Sequence, residues 1–81
     1  MTVTARFVCP ELVGPVKSGP YEVPDGICPV ELLKLARRQA GLEDEEPNEN
    51  LFFLCNGKPA EADTVLHDGD QVFFLRKLYG G

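Results

Sequence analysis

The residues best suited to chemistry stand at the end of the chain, in the stretch DGDQVFFLRKLYGG, residues 68–81. Gly80 and Gly81 have no Cβ, reach backbone angles closed to other residues, and offer nothing to a hydrophobic core. Their use therefore lies at the chain end itself, where a slender, bendable peptide with a free carboxylate can thread a narrow channel. A frayed end is the competing reading of a glycine pair taken alone. If the strand before them ends near Arg76, residues 77–81 reach at most roughly 16 Å when extended.

Other reactive side chains are few. Cys9, Cys28 and Cys55 leave one thiol unpaired in any disulfide scheme, none belongs to a CxxC, and His67 is the only histidine. No metal site follows from such a set, and the thiols read as reduced cysteines serving as small hydrophobes. A nucleophilic cysteine needs a helix N-terminus or a basic neighbour, and only Cys28 precedes a helix. No serine, cysteine or carboxylate constellation surrounds His67, so it reads as structural or exposed. The chain presents no catalytic set, which argues against an enzyme.

The elements that must position the chain end fit one small domain. With 81 residues, 43% of them hydrophobic, the chain builds a single core of modest stability. The body is expected over residues 1–76 and a flexible tail over 77–81. A net charge of −5 excludes nucleic acid as a partner, since phosphate binding needs clustered Lys and Arg; it suits a partner with a basic docking surface. No apolar run approaches a membrane span, and MTVTARFVCPE lacks a basic region followed by an apolar core. The expected location is the cytoplasm, with no membrane partner.

Residues 2–9 (TVTARFVC) alternate as a half-buried strand, Val3, Ala5 and Phe7 on one side and Thr2, Thr4, Arg6 and Val8 on the other. Residues 10–20 hold three prolines and two glycines and are expected as a long irregular loop, closing on a short strand around residues 21–23. PDGICPVELLKLARRQAG is the clearest helix. Pro29 suits its first position, Glu31 its first turn, and Gly41 its stop. Leu32, Leu33, Ala36 and Ala40 share one stripe, with Lys34 and Arg38 opposite. Cys28 stands where a Ser or Thr cap belongs, which leaves the start under-capped by about 1 kcal/mol. Residues 42–50 (LEDEEPNEN) read as a solvated acidic loop. LFFLC enters a tight Asn56-Gly57 turn, residues 58–65 form an irregular stretch or short edge strand, and Leu66 plugs the core.

The final strand, expected over residues 71–78, is apolar on both faces at its start. If Val72, Phe74, Phe53 and Cys55 point at the helix, alternation sends Phe52, Leu54, Phe73 and Leu75 to the other face. One helix covers only one face of a sheet, so these four side chains form a contiguous outer patch of the kind that marks an interface. Cover by a loop, or self-association, is the competing reading.

The order strand, strand, helix, strand, turn, strand, ending in Gly-Gly, resembles the β-grasp of ubiquitin and of the bacterial sulfur carriers. NGKPAEADTVLHDGDQVFFLRKLYGG looks like the second half of those carriers, in which an Asn-Gly turn, a Leu before Asp-Gly-Asp, an apolar strand and a terminal Gly-Gly recur. PDGICPVELLKLARRQAG looks like their helix. ARFVCPELVG is similar to the first strand and loop of the small subunit of molybdopterin synthase: Glu11, Leu12, Val13 and Gly14 match its Arg-Glu-Leu-Val-Gly element, and Pro10 replaces the Arg. The long first loop and the loop after the helix bring the chain nearer to that subunit than to the thiamin-pathway carrier. Three positions depart from the pattern: Tyr79 is bulkier than the usual residue before Gly-Gly, Arg76-Lys77-Leu78 looks more like the lead-in of ubiquitin, and Cys28 stands where the family often has Thr.

The resemblance implies an α+β fold, a ubiquitin-like β-grasp with a mixed sheet of four to five strands packed on one main helix. It implies a carrier or co-substrate, at most a non-catalytic subunit of molybdopterin synthase, with no bound cofactor. An E1-like enzyme spends ATP to adenylate Gly81, sulfur from a persulfide converts it to a thiocarboxylate, and the large subunit of molybdopterin synthase, or an equivalent sulfur-acceptor enzyme, receives the sulfur. Gly80, Tyr79, Leu78 and Lys77 form the tail, and Phe52, Leu54, Phe73, Leu75 and Arg76 are the expected partner-binding residues. The alternatives are a carrier for thiamin thiazole or another sulfur metabolite, a non-conjugating ubiquitin-like binding module, and a ubiquitin-like conjugator.

Overall fold

A computed structural model describes residues 1–77. Along the chain run β1 (Thr2–Phe7), α1 (Pro10–Val13), β2 (Gly19–Glu22), α2 (Pro29–Gln39), β3 (Leu51–Cys55), β4 (Lys58–Ala60) and β5 (Gln71–Arg76). The sheet order is β2-β1-β5-β3-β4. β1 and β5 lie parallel at the centre, and β2, β3 and β4 join antiparallel. Five strands of mixed direction against one main helix make the α+β architecture expected from the sequence.

The core lies between the sheet and α2. Val3, Ala5, Val72, Phe74 and Leu32 have no exposure at all. Phe74 is its hub: its ring stacks on Phe7 with centroids 4.6 Å apart and meets Phe53 edge-on at 5.6 Å, both favourable aromatic geometries. Leu66 is buried as expected, and its N–H donates to the Ile27 carbonyl at 2.8 Å, which fastens the segment before β5 under the start of α2. Asn56, with φ 53°, and Gly57, with φ 83°, form the two-residue turn that the Asn-Gly pair favours.

Both sheet edges carry a proline, Pro20 in β2 and Pro59 in β4. A proline offers no N–H to an incoming strand, and edge strands are where sheets tolerate it. The sheet is thus guarded at its edges against strand addition.

Five local expectations are corrected. The segment after β1 is not wholly irregular. β1 stops at Phe7, Cys9 stands at the N-cap position of α1, and Pro10 takes the first helical position, where its missing N–H is harmless. The second strand starts at Gly19 and so includes Pro20, allowed because β2 is an edge. Ala40 is exposed: α2 ends at Gln39 and the chain turns away at Gly41, with φ 77°.

The start of α2 is capped, although not by a hydroxyl. The Cys28 N–H donates to Glu31 Oε1 at 3.3 Å and the Cys28 thiol to the same oxygen at 3.2 Å. Glu31 therefore serves one of the helix's unpaired N–H groups from the third position, as in a capping box.

The fifth correction concerns residues 42–50, which are not a freely solvated loop. Arg37 is 8% exposed. Its Nη1 donates to the Val13 carbonyl at 2.6 Å, and its Nε and Nη2 donate to the Glu43 carbonyl at 3.3 and 3.0 Å. The guanidinium so joins α1, the end of α2 and the acidic loop. Gly14, at φ 88°, leaves room for it, since a Cβ there would stand 2.9 Å from Nη1. Arg38 adds a bidentate pair to Asp44 at 3.0 and 2.7 Å.

Candidate functional site

The register of β3 against β5 decides which apolar residues meet. Phe52 stands opposite Leu75 and Leu54 opposite Phe73. Phe53 and Phe74 pair between them on the α2 side and are 7% and 0% exposed, whereas all four residues of the other set are only half-buried. Four large side chains on two adjacent strands thus share one face, with no helix among the described residues over it. Pro59, opposite Leu54, extends the patch on one flank. On the other flank Arg6 stands beside Phe73, and Val8, just past β1, is 58% exposed.

Arg76 does not join that patch. It stands opposite the buried Leu51, and alternation turns it to the α2 side of the sheet. There its Nε lies 3.7 Å from Glu11 Oε1 of α1, with both side chains about half exposed. Lys77 remains within the ladder, its N–H donating to the Asn50 carbonyl at 2.7 Å, while its side chain is exposed. The base of the chain end is therefore set by backbone pairing as far as Lys77. Leu78, Tyr79, Gly80 and Gly81 lie outside the described residues.

The thiols are not activated. Burial raises the pKa of Cys9, Cys28 and Cys55 in turn, and the neighbouring carboxylates Glu11, Glu31 and Asp70 add to the rise. Cys28, the one candidate nucleophile, thus holds its proton and gives it to Glu31 in a hydrogen bond. Cys9 is buried and packs into the core.

The Asp68-Gly69-Asp70 turn carries a role that its sequence did not disclose. Asp70 Oδ2 accepts from the His67 N–H at 2.8 Å and from the Cys55 thiol at 3.5 Å, and Oδ1 accepts from Asn56 Nδ2 at 2.9 Å. Asp68 accepts from the Thr2 N–H at 2.8 Å, and the Gly69 N–H donates to the Thr2 carbonyl at 2.7 Å. One turn thereby fixes the start of β1, the β3–β4 turn and the start of β5. Burial pushes the Asp70 carboxyl upward, but the hydrogen bonds from His67, Asn56 and Cys55 outweigh it and hold the pKa below its ordinary value. His67 itself is exposed, 3.9 Å from Asp70 through Nδ1.

No helix among the described residues is long and apolar enough to cross a membrane. Against protein-family models and against curated proteins the chain finds no match. Solved structures do match. The solution structure of the HVO 2177 protein of Haloferax volcanii is 29% identical over the whole of this chain and 87% of its own, with a TM-score of 0.68. Small archaeal modifier protein 1 of the same organism is 13% identical over 95% of this chain and 98% of its own, TM-score 0.69. A Pyrococcus furiosus protein provisionally titled molybdopterin converting factor, subunit 1, is 22% identical over 96% of this chain and 99% of its own, TM-score 0.64.

The fold is thereby that of the ubiquitin-like β-grasp proteins. Within that class the structural neighbours include proteins named as a small archaeal modifier and as a molybdopterin converting factor subunit.

Proposed function

We propose that this protein is a sulfur carrier whose Gly81 carboxylate is activated and thiolated, and that it delivers sulfur to the dithiolene of molybdopterin. The observation that carries the proposal is the half-buried apolar face of β3 and β5, left open beside the strand that leads into Leu78-Tyr79-Gly80-Gly81. The likeness to a molybdopterin converting factor subunit supports the destination of the sulfur.

A carboxylate is a poor electrophile, because its charge repels nucleophiles and oxide does not leave. In the proposed sequence a Gly81 oxygen attacks the α-phosphorus of ATP on an E1-like enzyme, pyrophosphate leaves, and an acyl-adenylate forms. The outer sulfur of a persulfide attacks the acyl carbon and AMP leaves. A second thiol then takes the inner sulfur as a disulfide and releases the thiocarboxylate. The acceptor enzyme withdraws that sulfur and returns the carboxylate for another cycle.

The body's part is docking. Phe52, Leu54, Phe73 and Leu75 bury apolar surface against each enzyme in turn, at about 25 cal/mol per Å². Lys77 marks where the ladder ends, and the glycine pair provides a chain thin enough for a reaction chamber. Arg76, paired with Glu11 on the other side of the sheet, orients the exit of the chain rather than the docking face; such an exposed pair contributes about 0–1 kcal/mol.

Pyrophosphate exchange into ATP by the host's adenylating enzyme tests the reading. Gly81→Ala is expected to leave the fold intact and to slow exchange strongly, and unchanged exchange would remove the chain end from the mechanism. A second reading, a modifier joined to lysines, is favoured by the likeness to small archaeal modifier protein 1. Detergent-resistant adducts of higher mass in host extract would select it.

A further inference from the structure

The outer face continues into a groove of about 440 Å³ between residues 47–49 and 59–62. Register explains why it is there. β4 pairs with β3 only from Phe53 to Cys55, so Leu51 and Phe52 have no β4 partner. Extension of β4 would bring Ala62 opposite Leu51, but the Ala62 carbonyl is held by the Val30 N–H of α2 at 3.2 Å. The sheet is therefore notched, and Phe52 belongs both to the notch and to the apolar face.

The notch carries acidic side chains at its rim. Glu49 and Glu61 stand on its two sides, both exposed, and no ion pair among the described residues neutralises either carboxylate. Earlier in the same loop Asp44 pairs with Arg38 and Glu45 with Arg37, whereas Glu46 and Asp63, nearer to the notch in sequence, are exposed and make no ion pair among the described residues. Lys77 is the one cation among the described residues lining the notch, leaving the trio at −1.

We infer that this notch receives an arginine side chain from the protein partner that covers the outer face. The guanidinium lies between Glu49 and Glu61, and its methylene stem lies along Phe52. An aromatic face favours a cation, and a long basic side chain buries its stem while keeping its charge paired. Such a contact gives orientation to an otherwise non-directional apolar patch, since charged flanks steer encounter and fix register more than they add affinity. The inference deepens the docking role proposed above and rests on it only for the identity of the partner.

The test uses the full chain labelled with ¹⁵N and a capped Leu-Arg-Leu peptide at low salt, compared with the same peptide carrying citrulline. Expected are amide shifts at residues 49, 52 and 61 with the arginine peptide, weak shifts with citrulline, and a Kd raised about tenfold in Glu49→Gln/Glu61→Gln. Both substitutions are at exposed positions, and an unchanged spectrum elsewhere verifies the fold. Equal binding of the two peptides, equal binding by the double variant, shifts centred elsewhere, or no binding would overturn the inference. Shifts of the same residues on concentrating the protein alone would assign the notch to a second copy and overturn it too. None of these outcomes depends on Gly81 being activated.

Discussion

Phe73 and Phe74 are neighbours in one strand with opposite duties. Phe74 is sealed between sheet and helix and touches Phe7 and Phe53; Phe73 lies on the bare side, across from Leu54. The contrast holds along both strands, so the two faces of one sheet divide the work. The inner face pays for folding, and the outer face is kept apolar without need of the fold. Prolines on both outer strands strengthen the point, because the protein blunts its edges yet leaves a face sticky.

Substitutions on the two faces are expected to separate stability from docking. The largest stability effect belongs to Phe74→Ala, a loss of about 3–5 kcal/mol in urea unfolding, since a fully buried aromatic leaves a cavity. Phe73→Gln, by contrast, is expected to change stability by about 1 kcal/mol or less, while raising the activating enzyme's KM about tenfold. Equal stability losses for the pair would erase the distinction.

Arg37→Ala comes second to Phe74→Ala, at about 2–3 kcal/mol, because the Val13 and Glu43 carbonyls lose charged donors on the buried side. Asp70→Asn follows at about 1–2 kcal/mol, and it carries a pH signature. A carboxyl whose folded pKa lies below its unfolded value stabilises above the unfolded value, and that contribution fades as pH falls through the folded one. Wild-type stability is therefore expected to decline below pH 3.8, the ordinary carboxyl value, and the decline is expected to be shallower in Asp70→Asn. Thermal melts between pH 2 and 7 measure it, and parallel curves would count against the Asp70 network.

Much of this division was legible in the sequence. Alternation in QVFFLR and LFFLC, with one helix to cover them, separates Phe52, Leu54, Phe73 and Leu75 from the core. Asn56-Gly57, Gly41 and Leu66 each carry a local rule, and each sits as its rule requires. Interactions across the chain left no such mark. Arg37 received no role from the helical pattern, and only the approach of α1, made possible by Gly14, turns it into a buried clamp. Asp70 reads as a turn residue, yet its partners come from residues 55, 56 and 67. Arg76 follows the apolar strand in sequence, which suggests the patch, but period-two geometry puts it on the other face, beside Glu11. The notch at Phe52 depends on where β4 stops, which is decided by the Ala62–Val30 contact rather than by any residue type.

Intact-mass spectrometry of the protein isolated from its native host tests the central proposal most directly. A carrier caught in its cycle shows a fraction about 16 Da heavier, with the gain confined to the C-terminal peptide, as sulfur replaces oxygen at Gly81. A single unmodified species, in cells actively making the sulfur-bearing product, would contradict it.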